Sequence, residues 1–134
     1  MLWICENVID LLRFDLSQEL IQMANILIVD DEQSYRQLLS LVFEGDGHKI
    51  RTAMNGRQAI ELLQESPADV IISDVKMPDM DGIEMLRAVR ETLPDLGVIL
   101  MTAFASVETA REAFKLGADD FIQKPFDVEE LKLI

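Results

Sequence analysis

Five short apolar segments alternate with amphipathic helical patterns from residue 25 onward, and this alternation restricts the fold more than any other feature. The segments are Ile26–Val29, Lys49–Ala53, Val70–Ile72, Val98–Met101 and Phe121–Ile122. Strands that alternate with helices form a parallel sheet covered on both faces, because each connection must cross over the sheet. Since these crossovers are right-handed, few strand orders are possible. The sequence therefore predicts an α/β fold with a doubly wound, five-stranded parallel sheet.

Residues 1–23 precede the alternating pattern and are predicted to be a separate extension. Its apolar stretches are interrupted by charged residues at Glu6, Asp10, Arg13, Asp15 and Glu19. Neither a signal peptide nor a membrane-spanning helix fits such a segment. Apolar residues at helical spacing favour an amphipathic helix that packs on the domain or mediates dimerisation. The alternative is a non-native start, because a second methionine, Met23, precedes the first strand.

Residues 24–134 are predicted to form one domain that ends in an incomplete helix. The last helical pattern begins near Asp127, and the chain stops at Ile134. A helix of about eight residues is marginal even when docked. We therefore expect the chain to be cut from a longer protein or trimmed to the domain.

Charge and cysteine content limit the possible partners and compartment. Twelve basic residues against 25 acidic residues give a net charge of −13. This balance disfavours nucleic acid or an anionic membrane as a direct partner, and it suits a basic protein surface or a divalent cation. Cys5 is the only cysteine. An internal disulfide is therefore impossible, and a reducing compartment such as the cytoplasm is expected.

Polar side chains follow four of the predicted strands. They are Asp30 and Asp31 after the first strand, Asp74 after the third, Thr102 after the fourth and Lys124 after the fifth. In an open parallel sheet, binding sites lie outside the carboxyl ends of the strands, where the strand order reverses. Two carboxylates and a backbone carbonyl suit Mg²⁺, while an ammonium and a hydroxyl suit phosphoryl oxygens. One carboxylate must be the acceptor, since no serine or cysteine nucleophile with a base lies nearby.

Each of these residues also has an ordinary structural interpretation. An aspartate at a strand end is most often a helix cap or a solvated loop acid. Asp30 or Asp31 could cap the first helix, and Thr102 could begin the fourth. Glu32 is expected in the first helical turn, where its charge is favourable to the helix dipole. Five matching residue types at strand ends nevertheless favour a functional site.

Four segments together resemble the receiver domain of bacterial two-component response regulators. They are "ILIVDDE", "DVIISDVKMPDMDG", "VILMTAFAS" and "GADDFIQKPF", and the match spans roughly residues 25–134. The local similarity is to receivers of NtrC-type sigma-54 activators. The resemblance implies a flavodoxin-like strand order of 2-1-3-4-5. It also implies a downstream output domain, with transcription as the output.

The resemblance implies a phosphoacceptor and a metal site. Asp74 would receive a phosphoryl group from the phosphohistidine of a sensor histidine kinase. Mg²⁺ (or Mn²⁺) would be bound by Asp31, Asp74 and the backbone carbonyl of Lys76, with Asp30 acting through water. The chain would then be a switch that promotes only its own phosphorylation and dephosphorylation, rather than an ordinary enzyme.

The resemblance also implies a set of residues that respond to phosphorylation. Lys124 would pair with the phosphoryl group, and Thr102 would move toward it together with the backbone of Ala103. Phe121 would be the switch aromatic that follows inward, and Pro125 would follow a cis peptide bond that orients Lys124. The shift would reshape the face formed by the fourth helix, fifth strand and fifth helix.

Two more positions and a homodimer complete the implied properties. Lys76 and Phe104 lie two residues after Asp74 and Thr102. In receivers, such positions tune the access of water to the acyl phosphate, so they are candidates for setting its lifetime. The resemblance also allows a homodimer, and it does not say whether phosphorylation forms or breaks that dimer.

Two other functions share some of these sequence features. A phosphatase of the haloacid dehalogenase class also uses an aspartyl phosphate and Mg²⁺. That class needs an acid two residues after the nucleophile, where this chain has Lys76, and its nucleophile follows the first strand. A flavodoxin-like nucleotide binder is disfavoured because no glycine-rich phosphate loop follows the first strand.

Overall fold

Five parallel strands form the sheet, and each ends close to where the apolar pattern ends. The strands are β1 (Asn25–Val29), β2 (Lys49–Ala53), β3 (Val70–Asp74), β4 (Gly97–Thr102) and β5 (Asp120–Gln123). Their spatial order is β2-β1-β3-β4-β5, with every neighbouring pair parallel. The computed structural model describes residues 24–103 and 106–124. The predicted doubly wound sheet and its order are confirmed.

Four helices connect the strands, and three of them begin with a side-chain cap. The helices are α1 (Gln33–Gly45), α2 (Gly56–Glu65), α3 (Gly82–Thr92) and α4 (Val107–Lys115). Asn55 accepts a hydrogen bond from the third residue of α2, and Ser106 does the same for α4. Asp81 and Glu84 form a reciprocal capping box at α3. These caps satisfy backbone N–H groups that the first helical turn leaves unpaired.

The start of α1 differs from the prediction for Glu32. This residue occupies the N-cap position, one residue before the helix, and the first turn contains no acidic residue. The expectation that Glu32 lies in the first turn is therefore wrong. The Asp30 carboxylate accepts a hydrogen bond from the Glu32 N–H at 2.9 Å. This contact keeps Glu32 outside the helix, and neither Asp30 nor Asp31 is the cap.

The sheet has a hydrophobic layer on each face. Side chains alternate along β1, so that Leu27 and Val29 pack with residues of α2, α3 and α4, while Ile26 and Ile28 pack with α1. All five residues of β3 are buried. Because apolar side chains cover both faces, the central strands hold their carboxyl ends in fixed positions.

Some predictions concern residues outside the described part of the chain. They are the nature of the extension at residues 1–23, the fifth helix from about Asp127, the cis bond before Pro125 and the role of Phe104. In the described ranges, no helix is long and apolar enough to cross a membrane.

Candidate functional site

Asp30 is held at the carboxyl end of β1 by three hydrogen bonds. Its N–H donates to the Ala53 carbonyl at 3.1 Å, and its carbonyl accepts from Arg36 Nη1 at 2.7 Å. Its Oδ1 accepts from the Glu32 N–H. The side chain is fully buried. Asp30 is therefore a rigid carboxylate, fixed by β2 on one side and by α1 on the other.

Asp74 is the last residue of β3 and is also buried. The Ser73 hydroxyl donates to the Asp74 carbonyl at 2.9 Å. The next residue, Val75, donates its N–H to Met101 at 2.8 Å and accepts from the Gly82 N–H at 2.7 Å. The strand end is thus bound to β4 and to the start of α3. This network fixes the backbone of Asp74 at the edge of the sheet.

Lys124 follows β5 and connects the two buried aspartates. Its Nζ lies 2.6 Å from Asp30 Oδ2 and 3.2 Å from Asp74 Oδ2. Its own side chain is only 5% exposed. Its N–H donates to the Thr102 carbonyl at 2.7 Å. One ammonium therefore neutralises part of the charge of two carboxylates.

The three aspartates form a cluster that fits a divalent cation. One carboxylate oxygen from each of Asp30, Asp31 and Asp74 lies within 4.8 Å of the others. Asp31 is exposed, whereas Asp30 and Asp74 are buried. Hard oxygen donors with one side open to solvent suit Mg²⁺, which keeps several of its waters. The donor set therefore fits the metal predicted from the sequence.

Burial and charge perturb the pKa values of the site. Burial raises the pKa of Asp74, and the negative charges of Asp30 and Asp31 raise it further against the opposing effect of Lys124. Burial lowers the pKa of Lys124, but the bonds and charges of Asp30 and Asp74 outweigh it, so the net shift is upward. Lys124 is therefore protonated at neutral pH. Perturbed pKa values at neighbouring buried groups are typical of a functional site.

The other predicted switch residues lie at the same edge of the sheet. Thr102 is the last residue of β4 and is buried, while Ala103 is exposed. The alternative that Thr102 begins the fourth helix is wrong, because α4 starts at Val107 behind the Ser106 cap. Phe121 is buried on β5, with its ring centroid 6.5 Å from that of Phe114 on α4.

Lys76 lies two residues beyond the end of β3, in the segment that leads to α3. It is exposed, and the preceding Val75 is buried. That the Lys76 carbonyl binds the metal, and that Lys76 sets the lifetime of the acyl phosphate, stay predictions.

Sequence reasoning missed two residues that contact the site from α1. The Tyr35 ring lies under the Lys124 ammonium, with Nζ 3.9 Å from the ring centroid. Arg36 binds the Asp30 carbonyl. The available signal was their place in the first turn of the helix that follows Asp30 and Asp31. Helical spacing alone did not indicate that this turn faces a lysine from the far end of the chain.

Asp120, the first residue of β5, is a buried carboxylate outside the acidic cluster. It is 2% exposed, and no partner among the described residues bonds its Oδ1. Burial, followed by the adjacent negative charge of Asp119, raises the pKa of Asp120 to about 6. An ionised Asp120 therefore destabilises the folded state.

We expect Asp120→Asn to raise the free energy of unfolding near pH 8 by about 1–3 kcal/mol. The folded pKa of about 6 exceeds the ordinary value of 3.8. A part of the wild-type stability is therefore lost as the pH rises from 3.8 to about 6. The gain in the variant should disappear near pH 4. Urea unfolding at both pH values tests this, with the exposed Asp95→Asn as the charge-matched control. Equal stability of Asp120→Asn and wild type near pH 8 would contradict it.

Comparison with known proteins identifies the family of this chain. The family model for the response regulator receiver domain matches residues 26–134. Regulatory protein AtoC of Escherichia coli (strain K12) is 49% identical over 109 residues, which cover 81% of this chain and 24% of that protein. The DNA-binding transcriptional regulator NtrC of Proteus hauseri is 37% identical over 109 residues, which cover 81% of this chain and 23% of that protein.

Solved structures give the same result for the fold. Chemotaxis protein CheY4 of Vibrio cholerae superposes with a TM-score of 0.78 at 38% sequence identity, covering 82% of this chain and 93% of that chain. The chain spans about a quarter of the length of the curated relatives it matches. The predicted likeness to NtrC-type receivers is confirmed. This chain belongs to the response regulator receiver domain family of two-component systems.

Proposed function

We propose that this receiver domain is a phosphoacceptor switch in which Asp74 takes a phosphoryl group from the phosphohistidine of a sensor histidine kinase. The observation that carries the proposal is the contact of Lys124 Nζ with Asp74 Oδ2 at 3.2 Å, inside a cluster of three aspartates. An acceptor carboxylate beside a fixed cation and a cation-binding cluster has the groups that phosphoryl transfer requires.

Asp74 is a better acceptor than either of the other two aspartates. Both oxygens of Asp30 are engaged, Oδ1 by the Glu32 N–H and Oδ2 by Lys124. Asp31 is exposed, so water solvates its carboxylate. Asp74 combines burial with a raised pKa, which makes its carboxylate more basic than an ordinary aspartate. Asp74 therefore combines burial with contact to a fixed cation, which can stabilise the charge of a transferred phosphoryl group.

In the proposed reaction an Asp74 oxygen forms a bond to phosphorus while the bond from phosphorus to the histidine nitrogen breaks. The electron pair of that bond leaves with the imidazole of the kinase. Mg²⁺, when bound, supplies positive charge to the phosphoryl oxygens, and Asp31, Asp74 and the Lys76 carbonyl would hold it, with Asp30 acting through water. Lys124 neutralises the remaining charge on the transferred group.

The proposed response to phosphorylation passes through β4 and β5. Thr102 and the Ala103 N–H would bind the new phosphoryl oxygens, and Phe121 would repack beside them. Phe121 already contacts Phe114 on α4 at a centroid distance of 6.5 Å. A change at Thr102 would therefore reach α4 through β5, on a helix face that exposes Val107 and Phe114. We propose that this face controls an output domain whose output is transcription. We also propose that the protein acts in the cytoplasm and that the same face allows a homodimer.

The phosphatase alternative is not proposed. The position two residues after Asp74 holds Lys76, which cannot serve as the general acid of that class. The family match covers residues 26–134 and favours the switch.

Incubation with acetyl phosphate or phosphoramidate and Mg²⁺, followed by intact-mass measurement, tests the proposal. We expect the wild type to gain one phosphoryl group and Asp74→Asn to gain none. Asp95→Asn, which removes an exposed loop carboxylate, is the matched control and should be labelled like the wild type. Chelation of the metal should abolish labelling in the wild type and in Asp95→Asn. Labelling of the Asp74→Asn variant would contradict the assignment of Asp74 as the acceptor.

A further inference from the structure

The Lys124 ammonium contacts an aromatic ring as well as two carboxylates. Tyr35, which lies in the first turn of α1 and is half-buried, places its ring centroid 3.9 Å from Nζ. This distance lies well inside the range over which the face of an aromatic ring attracts a cation. Partial burial strengthens the attraction, because water competes less for the ammonium.

The ring is fixed with respect to the acidic cluster. Arg36, the next residue, donates to the Asp30 carbonyl at 2.7 Å, and the Glu32 N–H donates to Asp30 Oδ1 at 2.9 Å. These two bonds attach the start of α1 to the carbonyl and to the carboxylate of Asp30, the residue that Lys124 binds. Tyr35 therefore belongs to the same rigid unit as Asp30.

The lysine itself requires such support. A lysine ammonium is a compact charge on a flexible four-carbon chain, so its position depends on what surrounds it. Nζ is closer to Asp30, at 2.6 Å, than to Asp74, at 3.2 Å. When a phosphoryl group arrives at Asp74, the ammonium must turn toward the new oxygens. A ring that stays in place limits the other positions that Nζ can take while it moves toward those oxygens.

We propose that Tyr35 is a positioning residue for phosphoryl transfer, because its ring holds the Lys124 ammonium beside Asp74. The inference rests on the proposed function of Asp74. The ring acts through Lys124 and does not bind the metal. Loss of the ring should therefore slow transfer to Asp74 and leave the affinity for Mg²⁺ unchanged. One cation–π interaction at a partly desolvated position corresponds to roughly a threefold to tenfold effect on the rate.

The kinetic test compares Tyr35→Leu with Tyr35→Phe. Tyr35→Leu retains an apolar side chain without a ring, and it should lower the maximal rate of phosphorylation by phosphoramidate by about threefold to tenfold. Tyr35→Phe retains the ring face and should restore the wild-type rate. The half-saturating Mg²⁺ concentration, measured by calorimetry, should be the same in all three proteins. A purely structural role would change the metal affinity as well.

A spectroscopic test does not depend on phosphorylation. Tyr35 is the only tyrosine in the chain. Its ring resonances in protein with ¹³C-labelled tyrosine therefore report this position without ambiguity. Replacing Lys124 with methionine should shift them, and so should Lys124→Arg, which keeps the charge but changes its geometry. The exposed Lys49→Met is the control and should leave them unchanged.

These measurements separate the two proposals. Wild-type protein that takes no phosphoryl group would overturn the assignment of Asp74. The ring resonances would still show whether the Tyr35 ring contacts the Lys124 ammonium. A wild-type rate in Tyr35→Leu would overturn the inference. So would a Tyr35→Phe as slow as Tyr35→Leu, because the hydroxyl would then be the important group. Unshifted ring resonances in both Lys124 variants would also overturn it.

Discussion

Lys124→Met is expected to lower the free energy of unfolding by about 3–5 kcal/mol at neutral pH, because removing one partner of a buried ion pair leaves the other uncompensated. The variant loses the cation shared by Asp30, which is fully buried, and Asp74. The folded pKa of Lys124 is raised above 10.5. Its stabilisation is therefore complete below that pH and is lost only as the pH rises through the folded pKa. Urea unfolding in metal-free buffer measures the loss.

The same variant provides two further checks on the origin of the loss. Lys49→Met, on the exposed surface of β2, should change stability by less than about 0.5 kcal/mol. Mg²⁺ should restore more stability to Lys124→Met than it adds to the wild type, because a metal can replace the missing positive charge. A loss no larger than that of Lys49→Met would show that Lys124 does not hold the acidic cluster together.

Gly82→Ala is expected to destabilise the fold by about 3 kcal/mol and to displace the acceptor, because overpacking against backbone cannot be relieved by a side-chain rotation. A Cβ at position 82 would lie 2.4 Å from the Asp74 carbonyl oxygen and 2.9 Å from the Val75 Cα. Gly82 is the first residue of α3 and donates its N–H to Val75. The start of α3 must therefore lie directly against the strand end that carries Asp74.

Gly45→Ala is the matched control for this substitution. Gly45 is the last residue of α1, and a Cβ there would meet no atom within 4 Å. Alanine is a better helix former by about 1 kcal/mol, so the control should be neutral or slightly stabilising. Thermal unfolding of both variants, with the phosphorylation rate of each, measures the difference. Equal stabilities for the two alanine variants would contradict the close approach of α3 to Asp74.

Much of the sheet was predictable because its strands obey local rules. The segment Lys49–Ala53 was predicted with its observed bounds, and the other four strands differ by one or two residues at an end. Apolar runs bounded by turn residues encode where a strand lies. They do not encode which strands are neighbours, and the order 2-1-3-4-5 came from resemblance to a known family.

The side-chain contacts of the site were less predictable. That Asp30, Asp74 and Lys124 share one edge follows from their positions at strand ends. The closer contact of Lys124 with Asp30 joins residues 94 positions apart, so it depends on the assembled fold. Glu32 lies one residue before the helix, where its N–H bonds to the Asp30 carboxylate. This contact is local, because aspartates commonly bond the backbone two residues on.

Tyr35 and Asp120 were missed for related reasons. An aromatic residue in a first helical turn is ordinary until the fold brings the Lys124 ammonium onto its ring. Asp119 and Asp120 are adjacent acids, a pattern typical of a solvated loop. The Asp120 side chain is nevertheless buried at the start of β5. Periodicity predicts which face of an element is apolar, but not which polar side chains the assembled fold encloses.

Chemical trapping of the phosphorylated protein tests the central claim most directly. Borohydride reduces an aspartyl phosphate to homoserine, so the modified position can be read by peptide mass spectrometry. After treatment with phosphoramidate, Mg²⁺ and borohydride, we expect homoserine at position 74 and unmodified aspartate at positions 30 and 31. Homoserine at position 30 or 31, or unmodified aspartate at position 74 in protein that has gained a phosphoryl group, would contradict the account.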